Sequence, residues 1–304
     1  MPITLPALNR RRWMQLALAP LVPGLSEAAS PRLSQPGAEL WALLSDTHIA
    51  AERGLSARGV VMADNLERCL KQILSLGQKP FGALINGDCA YLDGQTGDYE
   101  TFVKLLEPLR ESAVAVHCTL GNHDQRKSFM AAMTSPQDAR PLEGKHVSVV
   151  SSATMNWILL DSLETVNATP GRLGETQLGW LDRTLASCPA RPTVVMAHHN
   201  PPPADSKSEK HSGLTDSTSL FKVLANHSKV KAFIFGHTHQ WAMRRDPVTQ
   251  MALVNLPPTA YVFNPSSPSG WVLAAASQAG LQLELRCLNP NHPKHGEVFE
   301  IPWS

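Results

Sequence analysis

The chain of 304 residues is long enough to bury a sizeable core, and its 43% apolar and 17% charged content excludes a disordered protein. Its formal charge of +1 excludes binding of a nucleic-acid polymer through bulk charge, which needs a basic surplus, so any phosphate must be met locally. Five cysteines without CxxC spacing (Cys69, Cys89, Cys118, Cys188 and Cys287) exclude a zinc ribbon or a disulfide framework, although one pair could still bridge.

Residues 1–30 read as a secretory signal of twin-arginine type: Arg10, Arg11 and Arg12 precede the apolar stretch Leu16–Leu25, and the small residues Ala28, Ala29 and Ser30 follow. The expectation is an exported, periplasmic or otherwise extracytoplasmic protein. The apolar stretch is too short, and too broken by proline, to form a stable membrane span. Cleavage after Ala29 would remove Arg10, Arg11, Arg12 and Glu27, taking basic residues from 27 to 24 and acidic ones from 26 to 25, a net charge of −1. Residues 31–38 are a polar, proline-bearing linker, and 39–304 show no composition break that would mark a second domain.

A strand-length apolar run, Glu39–Leu44, ends in Ser45-Asp46-Thr47-His48. The three-four spacing of Val61, Met62, Leu66, Cys69, Leu70, Ile73 and Leu74 predicts an amphipathic helix within 60–76. A second buried strand, Phe81–Ile85, ends in Asn86-Gly87-Asp88; a helix near 98–110 follows; a third strand, Ala113–Leu120, ends in Gly121-Asn122-His123-Asp124. Residues 146–151 and 156–160 read as neighbouring antiparallel strands, and 175–185 as a helix with its stripe at Leu178, Leu181 and Leu185. Thr193–Ala197 is a strand ending in His198-His199, and Val230–Phe235 one ending in Gly236-His237-Thr238-His239; segments near 251–256, 271–276 and 281–287 complete a strand-rich end.

Nearly unbroken apolar strands alternating with helices predict an α/β fold whose sheet is covered on both faces, with ligands beyond the carboxyl ends of the strands. Five strand tips therefore deliver oxygen and imidazole donors, and no thiolate, to one rim, a set suited to Mn, Fe, Zn or Co. The donors suffice for two ions, and Asp88, with two oxygens and Gly87 before it, is the natural bridge. Strand alternation puts His237 and His239 on one face, with Thr238 pointing away.

The ordered series Asp46-x-His48, Gly87-Asp88, Gly121-Asn122-His123-Asp124, His198 and Gly236-His237-x-His239 resembles the calcineurin-like metallophosphoesterases over roughly residues 40–240. The resemblance implies a four-layer αββα sandwich, two mixed β-sheets flanked by helices, with two divalent or trivalent ions (Mn, Fe or Zn) at its rim. One ion would take Asp46, His48, Asp88 and His239, and the other Asp88, Asn122, His198 and His237. A metal-bridging hydroxide would attack phosphorus in line on a small phosphoester, with His123 as general acid and Asp124 orienting and charging its ring. His199 reads as a structural neighbour, with support of the substrate side as the alternative.

Ser45-Asp-Thr-His48, the prolines after His198-His199 and the helix with Gln177-Leu-Gly-Trp-Leu181 are similar to the class III cyclic-nucleotide phosphodiesterases, which leans the expectation toward diesters. Tyr91 departs from that group, which usually carries an acidic residue there. Gly87-Asp88-Cys-Ala-Tyr91 is similar to the purple acid phosphatases, so a phosphomonoesterase of acid-phosphatase type is the alternative, with a catalytically silent metal-binding module behind it. Segment 201–216, with its lysines and His211, and segment 257–270, rich in proline and serine, are candidate walls of the cleft.

Overall fold

The computed structural model describes residues 37–133, 141–202 and 212–304; the signal-like segment 1–30, most of the linker, and the lysines and His211 of the 201–216 loop lie outside these residues. In β1 (Glu39–Ser45) every residue after Glu39 is buried. Alternate side chains of a strand face opposite sides, and Trp41 and Leu43 point into a core shared with a second sheet.

β1 lies parallel to β4 (Gly82–Asn86), and β4 parallel to β5 (Ala115–Thr119). On the other flank β1 pairs antiparallel with β12 (Gly270–Ala276), which continues through β13 (Gly280–Cys287) to β14 (Val298–Pro302). The second sheet has the order β10-β11-β9-β8-β7-β6. Its centre is parallel: β7 (Asn156–Leu159), β8 (Thr193–Met196), β9 (Val230–Phe235) and β11 (Ala252–Asn255). The edges β6 (Ser148–Ser151) and β10 (Ala242–Arg245) are antiparallel, as the sequence predicts for 146–160. A two-residue hairpin, β2 (Ser56–Ala57) and β3 (Val60–Val61), stands apart.

The sheets meet face to face. Trp41 and Leu84 of the first pack with Trp157, Met196 and Ile234 of the second, and the Trp41 and Trp157 rings meet edge on at 5.7 Å. Each such side chain contributes roughly 1.5–3 kcal/mol by leaving water. On the outer face of the second sheet lie α4 (Glu175–Ser187) and α5 (Ser217–Ala225), whose Leu181, Leu185, Leu220 and Leu224 cover Val195, Phe233 and Leu253. α1 (Met62–Leu74), α2 (Thr96–Glu111) and α3 (Arg126–Met133) flank the first sheet, α1 burying Met62, Leu66, Cys69, Leu70 and Ile73, the stripe its spacing predicts. The result is the expected αββα layering. All five cysteines are free thiols, so the one bridge left open does not form. Among the described residues no helix is long and apolar enough to cross a membrane.

Candidate metal centre

Because β1, β4 and β5 run parallel, their carboxyl ends share a rim, and the ends of β8 and β9 reach the same rim from the other sheet. Short bonds lock the loops together. The Asp46 N–H donates to the Gly87 carbonyl at 3.1 Å, the His48 N–H to the Asp88 carbonyl at 2.9 Å, and the His123 N–H to Asp88 Oδ1 at 2.9 Å. The His237 N–H reaches across to Asp46 Oδ1 at 3.2 Å. A Cβ on Gly121 would lie 2.2 Å from Asp88 Oδ1, and one on Gly236 would lie 2.1 Å from Ser45 Oγ and 2.6 Å from Asp46 Oδ2. Gly236 thus clears space for the aspartate that an ion would use.

Strand alternation does not explain His237 and His239. β9 ends at Phe235, and both histidines lie beyond it with φ of +68° and +53°. Asp46, His48 and Asp88 share this left-handed conformation, at +53°, +47° and +46°. Each non-glycine residue held there costs on the order of 1 kcal/mol or more. Five such residues in one cluster are shaped by where their side chains must point.

The side chains converge as expected. His48 Nε2 lies 3.2 Å from His239 Nε2, and His239 Nε2 lies 3.3 Å from Asp46 Oδ1. His198 Nε2 lies 3.3 Å from Asp88 Oδ2 and 3.9 Å from Asp46 Oδ1, and His48 Nε2 lies 3.8 Å from Asp88 Oδ2. Asp46, His48 and His239 form one potential ion-binding group and Asp88, His198 and His237 another. The buried Asn122 Oδ1 has no hydrogen-bond partner, as a donor reserved for a cation would not. Three of the four rings are tied back through their other nitrogen: His198 Nδ1 donates to the Asn86 carbonyl at 2.9 Å, His237 Nε2 to the Ser212 carbonyl at 2.9 Å, and His239 Nδ1 to the Tyr261 carbonyl at 2.6 Å. Such bonds orient the ring and, once it is neutral, leave a lone pair on the nitrogen facing the centre. The donor set fits two cations.

Burial alone would raise the Asp46 carboxyl and lower the His198 ring. Their mutual attraction wins: His239 and His198 bring Asp46 down to about 2, and Asp88 and Asp46 bring His198 up to about 10. Asp88 is held well below the usual carboxylate range, its burial outweighed by His198. Burial takes His48 down to about 3 and, with the His198 charge, takes His237 down to about 4. In the metal-free chain at neutral pH one proton therefore sits on His198, between two carboxylates. A cation must displace it, so metal affinity rises with pH as long as that ring stays protonated, up to about pH 10. Calorimetric Mn titration in two buffers of different ionisation enthalpy should show at least one proton released; release of none would contradict this protonation state.

His123 is half-buried at the rim, its ring 5.2 Å from that of His48. Asp124 does not orient it. The buried Asp124 carboxylate accepts from the N–H groups of Gly121, Cys89 and Ala90 and from the Tyr99 hydroxyl, and so ties the β4 and β5 loops together. Burial, helped by Asp88, pushes its carboxyl up to about 6. The His123 ring is held instead by Nδ1–H donation to the Leu92 carbonyl at 2.5 Å. An aspartate next to a histidine in sequence could not reveal that four donors would claim it.

His199 is buried beside His198 and His237, its Nδ1 2.8 Å from Ser162 Oγ. Tyr91 is half-buried, and its N–H is bonded to the Ile49 carbonyl. Sequence reasoning missed Tyr261 and Phe263. Tyr261 stacks on His48 at 5.0 Å and 18°, and Phe263 on His239 at 4.1 Å and 20°. Two aromatic side chains, two residues apart in the proline-rich 257–270 segment, were the available signal.

A two-sheet sandwich presenting paired aspartates, histidines and an asparagine on one rim is a metal-dependent phosphoesterase architecture. The chain belongs to the calcineurin-like phosphoesterase family, which it matches over residues 42–241. It is 31% identical over 227 residues to the 3′,5′-cyclic adenosine monophosphate phosphodiesterase CpdA of Pseudomonas aeruginosa, covering 74% of this chain and 77% of that one. It is 30% identical over 221 residues to the Escherichia coli K12 protein of the same name, covering 71% and 76%. A dimetal phosphatase from Danio rerio shares the fold, with a TM-score of 0.66 at 17% identity over 88% of this chain and 99% of that one.

Proposed function

We propose that this metallophosphoesterase is a phosphodiesterase that opens 3′,5′-cyclic nucleotides, with His123 supplying the proton to the departing oxygen. Cyclic-nucleotide activity is what the relatives' names state, and those relatives match about three quarters of this chain. The observation that carries the reading is the convergence of Asp46, His48, Asp88, His198 and His239, linked in a chain of contacts of 3.2–3.9 Å at the meeting of two sheets.

One cation would be held by Asp46, His48, Asp88 and His239, and the other by Asp88, Asn122, His198 and His237. Bound there, the pair would supply the charge that turns a water into a nucleophile near neutral pH and draws electron density from the phosphoryl oxygens. The protein's own part is positional. Asp88 Oδ1 is fixed by the His123 N–H, so the carboxylate that would serve both ions is tied to the backbone of the proton donor. The carbonyl of Leu92 can only accept, so the His123 ring carries a hydrogen on Nδ1 and offers Nε2 for proton transfer. Protonated, that nitrogen gives its hydrogen to the ribose oxygen as the P–O bond breaks, and the ring returns to the neutral form.

The test is turnover by protein reconstituted with Mn, Fe or Zn. Hydrolysis of 3′,5′-cyclic AMP at least tenfold faster than of p-nitrophenyl phosphate is expected. A preference for the monoester would favour the acid-phosphatase reading, and inertness with every metal would favour the silent module.

A further inference from the structure

The β2–β3 hairpin turns through Arg58 and Gly59, both with positive φ, +50° and +82°. That pair of values is the type I′ turn, whose first position suits Asn, Asp or Gly. Arginine there pays a backbone cost that its side chain must justify. Nearby Arg53 is neutralised, 2.7 Å from Glu67 and 3.0 Å from Asp64. Arg58 is exposed and has no carboxylate partner among the described residues; its guanidinium lies 4.8 Å from the Phe263 ring centre and 5.7 Å from that of Tyr261. Those rings stack on His239 and His48. Phe263 remains 51% exposed, the burial of a platform edge and not of a core residue. The loop that carries both rings is anchored by Asn65 Nδ2 donating to the Ala260 carbonyl at 2.7 Å.

An unpaired cation beside a centre built for cations is repulsive unless an electron-rich group comes between them, and a planar guanidinium lying on aromatic rings presents a flat face. Resting on the phosphodiesterase reading, we infer that Arg58 and Phe263 form the wall against which the planar heteroaromatic base of a nucleotide substrate stacks, so that they set specificity for the base and not for the phosphate. Stacking of a base on an aromatic or guanidinium plane changes affinity by roughly tenfold.

The experiment compares kcat/KM for 3′,5′-cyclic AMP with that for the cyclic 3′,5′-phosphate of methyl riboside, which lacks a base. In Arg58→Ala and Phe263→Ala the ratio should fall about tenfold through KM. Arg58→Lys, which keeps the charge and loses the plane, should behave like Arg58→Ala, and Phe263→Trp should restore the ratio. Arg53→Ala is the control and should leave it at the wild-type value. Calorimetry supplies a readout independent of turnover: AMP should bind more tightly than ribose 5-phosphate, and Arg58→Ala should erase that difference. If the AMP preference is present and lost in the variant while no metal gives turnover, the proposed function fails and the stacking wall stands. If wild-type protein turns over both diesters equally and binds AMP and ribose 5-phosphate equally, or if the variants change only thermal stability, the wall is overturned and the phosphodiesterase reading survives.

Discussion

Asp88→Asn is expected to lower kcat/KM for 3′,5′-cyclic AMP by about a thousandfold or more. Asparagine has the same shape and keeps the Oδ1 acceptor that receives the His123 N–H at 2.9 Å, so the loop between β4 and β5 has no reason to move. What disappears is the negative charge facing His48 and His198 at 3.8 and 3.3 Å, and with it a carboxylate placed to serve both ion-binding groups. A bound cation's contribution is worth several kcal/mol, and each ~1.36 kcal/mol is a factor of ten. The check has a second arm. Wild-type protein should melt higher as Mn is added, because a ligand bound to the folded state alone stabilises it by mass action. Asp88→Asn should lose most of that rise while its metal-free melting temperature stays within a few degrees of wild type. Retention of both the rise and the activity would remove Asp88 from the centre.

His123→Ala should cost about 10²- to 10³-fold in kcat for 3′,5′-cyclic AMP and no more than about tenfold for bis(p-nitrophenyl) phosphate. A ribose alkoxide is a poor leaving group that needs a proton as it departs, whereas p-nitrophenolate leaves without one. The backbone N–H of residue 123 survives the substitution, so Asp88 keeps its bond, and Mn affinity measured by calorimetry should change little. An equal loss on both substrates would mean that the ring positions something else and donates no proton. Asp124→Asn should not mimic this pattern. Its oxygens hold Gly121, Cys89, Ala90 and Tyr99, so the damage would be to loop order.

What the sequence could tell followed from burial. β1, β4, β8 and β9 are nearly all buried, and an unbroken apolar run is a signal that depends on nothing distant. α1 and α4 repeat their apolar side chains at helical spacing for the same reason. No element is predicted at β10, whose Ala242–Arg245 is partly exposed, or at β14, whose Val298–Pro302 alternates weakly. Edge strands are half solvated and tolerate polar residues, which blurs the pattern. Nor does any local pattern show that β12 pairs with β1, with Ala276 opposite Glu39 across most of the chain.

The site divides in the same way. Which residues gather at the rim was readable, because aspartate, histidine and asparagine at five strand ends are chemically conspicuous. How they aim was not: the alternation argument for His237 and His239 failed because the backbone leaves the strand and turns left-handed, and nothing in the identity of a histidine announces its φ. The Asp124 assignment failed for a related reason, since adjacency in the chain says little about which of several competing donors a buried carboxylate will satisfy.

Asp46, His48, Asp88 and Asn122 come from the first sheet, whereas His198, His237 and His239 come from the second. Each cation in the assignment above therefore draws on both halves of the sandwich. Neither pocket can exist in an isolated half, and the ions become rivets, insertable only once the two leaves have closed. Metal uptake would thus be a read-out of finished assembly: a growing chain that ends after β5 carries Asp46, His48, Asp88 and Asn122 but none of the three histidines of the second sheet.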